Sequence, residues 1–238
     1  AFRNPALYDN LSYSKYAPNY STTVATWGTN LANTNFATLP GVVTNTLTGG
    51  SDDAPTAGTL QTAFGQFSNS EEVDISLVIT GDAGVSTQQY IIDNISGARK
   101  DCIAFLSPPS SNVINQSGSE VTNILAWNTA LSRSSSFAVA DSGWKYMFDK
   151  YNNTYRYVPL NADIAGLCVY TDSVRDPWFS PAGVNRGAIK NAVKLAFNPK
   201  KADRDTLYSA GVNPIVQSAA QGVILFGDKT LLARSSAF

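Results

Sequence analysis

Between residues 74 and 140 three short apolar runs alternate with two stretches of helical period, and that alternation leaves the chain very few architectures. Residues 74–80 (DISLVIT) read as a buried-type strand, and the stretch 86–98 places Ile91, Ile95 and Ala98 on one helical face. Residues 102–106 form the next apolar run, closed by Ser107, Pro108 and Pro109. Ser117 and Glu120 have capping-box spacing ahead of a helix whose apolar stripe is Val121, Ile124, Leu125 and Leu131. Residues 137–140 supply a third strand. Consecutive parallel strands need a crossover, and a helix is the usual one, so this order predicts an α/β fold: a mixed, largely parallel sheet covered by helices.

The period changes to two at Trp144. Trp144, Tyr146 and Phe148 alternate with Lys145, Met147 and Asp149, a turn follows at 151–154, and Tyr155 to Val158 returns, which predicts a β-hairpin inserted in the α/β pattern. Asn161 is expected to cap a helix with Ile164, Leu167, Cys168, Thr171 and Val174 on one face, ending before Pro177. Residues 189–197 read as a strand, with a helix as the alternative because of their alanines. Asn198 and Pro199 fit an N-cap and first helical position, starting a helix that carries Lys201 and Asp205 at i,i+4 spacing and stops at Gly211. Residues 223–226 are a last strand. Upstream, 1–48 reads as the end of a preceding β-rich region, and the cluster GGSDDAP at 49–55 is the expected boundary of an α/β domain over 49–238. The only methionine is Met147, and the chain closes on LLARSSAF without a cap or polar tail, so an internal piece of a longer protein, incomplete on its C-terminal side, is expected.

The chemistry available to such a fold is narrow. The chain has no histidine, which excludes Ser-His-Asp, Cys-His and His-metal arrangements. Cys102 and Cys168 sit in apolar runs and read as buried free thiols, too few for a structural zinc site. Charged residues make up 15% of the chain against about 25% in an average domain. A net charge of −1 leaves no electrostatic footprint for nucleic acid or anionic lipid, and no apolar run approaches a membrane span. The run 222–230 (GVILFGDKT) approximates the phosphate-binding pattern G-x-x-x-x-G-K-[ST]. It fails because Asp228 precedes the lysine and the intervening residues are strand-like. The acidic pairs Glu71–Glu72 and Asp203 with Asp205 read as solvated or helix-start carboxylates. The hairpin aromatics Trp144, Tyr146, Tyr155 and Tyr157 match cross-strand packing, with a sugar-binding platform as the competing reading.

The densest segment is DPWFSPAGVNRG at 176–187, which sets two prolines, two glycines, a Trp-Phe pair and one arginine together. Prolines fix φ, and large aromatics need burial, so this reads as a rigid docked loop rather than a linker. Trp178, Phe179, Asn185 and Arg186 are its candidate site residues, either bracing the loop or meeting a partner. Lys200, Lys201 and Arg204 form a second candidate contact on the following helix, with a solvated charged face as the competing reading.

Five motifs in one order then carry a resemblance. RKDCIAFLSPP (99–109), FDKYNNTYRYVPLNADIAG (148–166), DPWFSPAGVNRG (176–187), RDTLYSAGVNPI (204–215) and GVILFGDKTL (222–231) resemble tail sheath proteins of contractile-tailed bacteriophages, in the branch found in large myoviruses. The resemblance covers about residues 50–238. It implies a non-enzymatic virion subunit, assembled in the host cytoplasm, that polymerises around the tail tube and contracts to drive the tube through the cell envelope without any cofactor. Implied partners are other sheath subunits, the tail tube, the baseplate and the tail terminator, with no nucleic acid and no membrane insertion. The resemblance implies that the family's N-terminal arm and C-terminal domain are expected to lie outside this stretch. The alternative reading from the residues alone is a virion-associated carbohydrate-binding or glycan-cleaving protein.

Overall fold

A computed structural model describes residue 50 and residues 54–233, so the β-rich segment expected at 1–48 lies outside the described residues. Four strands, β1 (Leu77–Ile79), β2 (Ile103–Leu106), β3 (Ala138–Asp141) and β8 (Val212–Asn213), form a parallel sheet in the order β1-β2-β3-β8. Along β2 the side chains alternate between two cores. Ala104 and Leu106 face a cluster containing Ile91, Ile95, Ile124, Trp127 and Leu131, while Phe105 faces one with Leu160, Ile164, Ala165, Ile215 and Leu225. A parallel strand buried on both faces must be apolar at nearly every position, which is why these strands read as short continuous runs.

The helices follow from those two cores. Helix α1 (Ala57–Gly65) starts at Thr56, whose side chain accepts from the Thr59 N–H. Helix α2 runs from Val85 to Ile91, widens into a π turn over Ile92–Ser96 and ends in a last α turn at Gly97–Arg99. Gly97 follows the π turn because a Cβ there would lie 2.5 Å from the Ile92 carbonyl oxygen. After the short α3 (Ser110–Val113), helix α4 (Glu120–Leu131) buries Ile124, Trp127 and Leu131. Helix α5 (Asn161–Val174) covers the opposite face of the sheet, and α6 (Lys201–Ser209) contributes the buried Leu207 to the first core.

Two smaller antiparallel sheets complete the described part. The hairpin of β4 (Trp144–Asp149) and β5 (Thr154–Pro159) takes β7 (Lys194–Leu195) as a third strand. The other sheet has the order β6-β10-β9, from β6 (Ala188–Ile189), β10 (Gly222–Leu225) and β9 (Ile215–Ser218).

Several local expectations are corrected. The 189–197 strand is two separate two-residue strands in different sheets, because Asn191 takes a positive φ of 54° between them. Asn198 does not cap α6. Its amide pairs reciprocally with the Gln217 backbone, and Lys200 is the N-cap, its N–H held by Asp203 at 2.9 Å. Ser117 forms no capping box, since α4 begins after Ser119 and the Glu120 carboxylate accepts from the Gly118 N–H. Asn161 is the first residue inside α5 rather than its cap, and Cys168 is half-buried.

The carboxyl ends of the parallel strands carry a buried polar row. Ser107 donates to Asp141 at 2.6 Å, and the Gly143 N–H holds the other carboxylate oxygen at 2.8 Å. The Asn161 N–H at the start of α5 donates to the Ser107 hydroxyl at 3.0 Å, and its side-chain amide donates to Gly81 C=O and Thr80 Oγ1. Gln88 on α2 donates to the Ser107 and Ala83 carbonyls and accepts from Trp127 Nε1. Asn213 joins from β8, donating to Ala140 C=O and Lys229 C=O. Beside the row Lys145 reaches Asp163 at 2.7 Å and also donates to Lys190 C=O.

The 176–187 loop docks on β10 through its backbone. Gly183 N–H donates to Leu225 C=O, Leu225 N–H to Gly187 C=O, and Gly187 N–H closes back on Gly183 C=O at 2.7 Å. A Cβ on Gly187 would stand 2.7 Å from the Leu225 oxygen and 2.9 Å from Gly183 backbone atoms. Both neighbours are main chain, so neither can swing aside.

Two stability predictions follow from these contacts. Burial pushes the Asp141 carboxyl up to about 8, against the lowering pull of the Ser107 and Gly143 hydrogen bonds. Its folded-state pKa therefore exceeds the unfolded value near 4. The folded form holds a proton that the unfolded form releases, so the contribution is complete below about pH 4 and is lost as pH rises to about 8, by up to about 1.4 kcal/mol per pH unit. Thermal melts from pH 5 to 9 should show a steeper fall for wild type than for Asp141→Asn; parallel profiles would contradict this. Gly187→Ala should lower stability by about 1–3 kcal/mol in urea titrations followed by tryptophan fluorescence. An unchanged midpoint would mean the loop relaxes freely.

Candidate functional site

In open α/β sheets, ligands settle in the crevice outside the carboxyl ends of the strands. Here that place is filled by the protein itself. Thr80, Ser107, Asp141, Asn161 and Asn213 are each no more than 5% exposed, and all five take part in the hydrogen bonds of the strand-end row. Within the row Asn161 Oδ1 has no partner; elsewhere among the described residues the buried Thr87 and Ser96 hydroxyls also lack one. Burial also raises the Asp163 carboxyl, against the lowering effect of Lys145. Lys145 and Asp163 nevertheless tie β4 to α5 by an ion pair screened from water. Sequence reasoning missed this centre. Its one local signal was a carboxylate directly ending the apolar run of β3.

The loop residues separate into two roles. Arg186 Nε donates to Ser180 C=O at 2.9 Å, and its guanidinium lies 5.5 Å from the Phe179 ring centre. Phe179 in turn stacks on Trp178 at 6.4 Å and 28°. Arg186 and Phe179 thus hold the loop's own geometry, while Trp178 is 79% exposed. Asn185 is exposed and sits with Arg186, Tyr170 and Lys190 around a cleft of about 360 Å³ against α5. The structure does not bring Lys200, Lys201 and Arg204 into that cleft. Lys200 and Lys201 are exposed at the start of α6, and Arg204 packs its guanidinium over Phe226 at 5.5 Å.

The remaining motifs have structural occupations. In 222–230 the apolar part is β10, and Gly227 lets the chain pass within 2.7 Å (as a Cβ position) of Asn213 Oδ1. Lys229 donates to Tyr208 C=O and lies 3.8 Å from the Tyr208 ring centre, so its ammonium is engaged within the fold. Glu71 and Glu72 are exposed, and Asp203 serves as the N-terminal lock of α6. On the hairpin, Tyr146 packs on Tyr155 and Tyr157 at 5.5 and 4.7 Å, and Phe148 tilts against Tyr155. Trp144 is buried, donating to Pro108 C=O. The rings pack against each other instead of presenting one flat face. Burial pushes the Cys168 thiol up to about 11 and raises Cys102 as well, which keeps both protonated and unreactive at neutral pH. Among the described residues no group of three or more acidic or cysteine side chains has the geometry to hold a metal, and no helix is long and apolar enough to cross a membrane.

Comparison with known proteins fits this picture. The sequence profile for the phage tail sheath protein central domain matches residues 28–231. The chain is 44% identical over 212 residues to the tail sheath protein of Vibrio phage KVP40, covering 80% of this chain and 31% of that protein. It is 41% identical over 210 residues to the tail sheath protein of Enterobacteria phage T4, covering 81% and 32%. The chain thus spans about a third of the length of these relatives. Its fold is similar to that of the anti-feeding prophage helical sheath in the contracted state, with a TM-score of 0.55 at 17% identity, covering 78% of this chain and 46% of that one. With a strand-end crevice closed by its own side chains and four-fifths of its length aligned to tail sheath proteins, the chain belongs to the phage tail sheath protein family.

Proposed function

We propose that this chain is the central part of a structural subunit that polymerises around a phage tail tube and contracts to drive the tube through the host envelope. The observation that carries the reading is the identity of more than 40% with two tail sheath proteins over four-fifths of the chain. The closed strand-end crevice supports it, because a subunit that works by changing its neighbours has no use for a ligand pocket there. Two densely packed cores and a hydrogen-bonded centre make a body that can move as one piece while contacts around it exchange.

On this reading the protein has no enzymatic step and no cofactor, and the energy of contraction is stored in contacts between subunits. Its partners are further copies of itself, the tail tube, the baseplate and the tail terminator; it neither binds nucleic acid nor inserts in membrane. It assembles in the bacterial cytoplasm and resides in the virion tail. Trp178, Asn185, Lys200 and Lys201 are exposed and available to neighbours, whereas Arg186, Phe179 and Arg204 act within the fold. No observation favours the carbohydrate reading, since the hairpin rings are occupied with one another.

Electron microscopy of the purified full-length protein tests the proposal. Long tubular polymers are expected, with contraction of assembled tails unaffected by enzymatic removal of nucleotides. Persistent monomers at high concentration, or contraction that stops when nucleotide is removed, would contradict it.

A further inference from the structure

The stretch 54–75, which holds α1 and the loop leading to β1, is attached to the rest of the fold through very little. None of its residues is buried. Phe64 and Ile75 are its contacts with the first core, and both are only partly buried. The bonds within α1 and its loop are local, as in Thr59 to Thr56 and Val73 to Asn69. Among the described residues, every hydrogen bond that joins this stretch to the rest comes from a single side chain, that of Arg99. Sheet bonding begins immediately after it, where the Ile103 N–H donates to Ser76 C=O at 3.0 Å.

Arg99 is the last residue of α2, and its side chain is 1% exposed. One Nη donates to Phe67 C=O at 2.7 Å and, more weakly, to Asn69 C=O at 3.4 Å; the other donates to Val73 C=O at 2.8 Å. Nε and the second Nη also grip the two oxygens of Asp101, each at 2.9 Å. One planar group therefore gathers both arms of the loop. Its placement depends on the π turn at Ile92–Ser96, which holds one residue more than an α turn and so sets the following residues about 100° round the axis from their place in an unbroken α-helix. Lys100, with a φ of 63°, then leads the chain out of the helix so that Asp101 lies beside the guanidinium.

Breaking this contact strands nothing. Phe67 and Asn69 are exposed and Val73 is half-buried, so their carbonyls exchange the arginine for water. The guanidinium keeps Asp101, whose side chain is 42% exposed, as its counter-ion. Both cores keep their buried side chains and lose only the partial cover of Phe64 and Ile75. Segments with few buried apolar contacts are the ones that open below the threshold of global unfolding.

We propose that residues 54–75 are a releasable strap and that Arg99 is its latch: the strap lifts from the body as one unit while both cores stay packed. Drawn out fully, it spans at most about 80 Å, a length of slack gained without unfolding the sheet. The latch requires arginine. A guanidinium presents a planar array of five N–H donors, whereas a lysine ammonium cannot serve a carboxylate and carbonyls on both arms at once. The inference goes beyond the sheath reading and does not depend on it.

Hydrogen–deuterium exchange of the full-length protein, read peptide by peptide by mass spectrometry with every variant in the same assembly state, tests the strap. In wild type, amides of α1 should exchange much faster than those of α4, with a weaker dependence on added urea. Arg99→Lys, which keeps the charge, should speed exchange over 60–73 by about tenfold or more and leave α4 and β2 as they were. Unchanged exchange over 60–73 in that variant would overturn Arg99 as the latch. Equal acceleration over 60–73 and in α4 would overturn the strap as a separate unit. Should Arg99→Lys fail to fold, the wild-type urea series decides: α1 amides that exchange only through the global opening that frees α4 would overturn the proposal, and an earlier, separate opening would uphold it.

Discussion

The short hydrogen bond from Ser107 to Asp141 is the contact around which the described fold is arranged. It joins the ends of two central strands, and the same hydroxyl receives the first backbone N–H of α5, so sheet and covering helix meet on one oxygen. Gly143, gripped by the other carboxylate oxygen, begins the turn into the hairpin. A buried polar group costs little only when its partners are in place, so this centre tolerates one arrangement and penalises near misses. The apolar cores supply the bulk of the stabilisation; the polar row supplies uniqueness.

That choice has a functional side. Many α/β proteins leave the strand ends open to bind something. Closing them with protein side chains exchanges a binding site for mechanical integrity. The cross-links between sheet, helix and hairpin tie these elements into one body. The Lys145–Asp163 pair adds another tie between hairpin and helix, and because both groups are largely withdrawn from water, removing either partner would leave the other charge uncompensated.

Periodicity made the parallel sheet, its covering helices and the hairpin legible, because buried strands and amphipathic helices write their environment into local sequence. The polar row was illegible for the opposite reason: Ser107 and Asp141 are 34 residues apart, and neither neighbourhood names the other. Strands as short as β6, β7 and β8 have no period to detect and exist only because a partner strand is present. Asn198 shows a local signal losing to a distant one, since its capping chemistry is spent on Gln217 across a gap of 19 residues. In the candidate loop, residue types pointed to a docked segment, which the backbone bonds to β10 show, but the sequence could not separate the inward Arg186 from the outward Trp178.

The strand order β1-β2-β3-β8 also sets a timetable. The three strands up to Asp141 can pair as soon as they leave the ribosome, but β3 then presents an unpaired edge until Val212 and Asn213 arrive, some seventy residues later by the pairing of Ala140 with Val212. At ribosomal speeds of about 5–20 residues per second that edge stays open for several seconds. During that interval it can template pairing with another nascent chain. The greatest exposure of this sheet to wrong strand pairing therefore comes before Val212 and Asn213 are made.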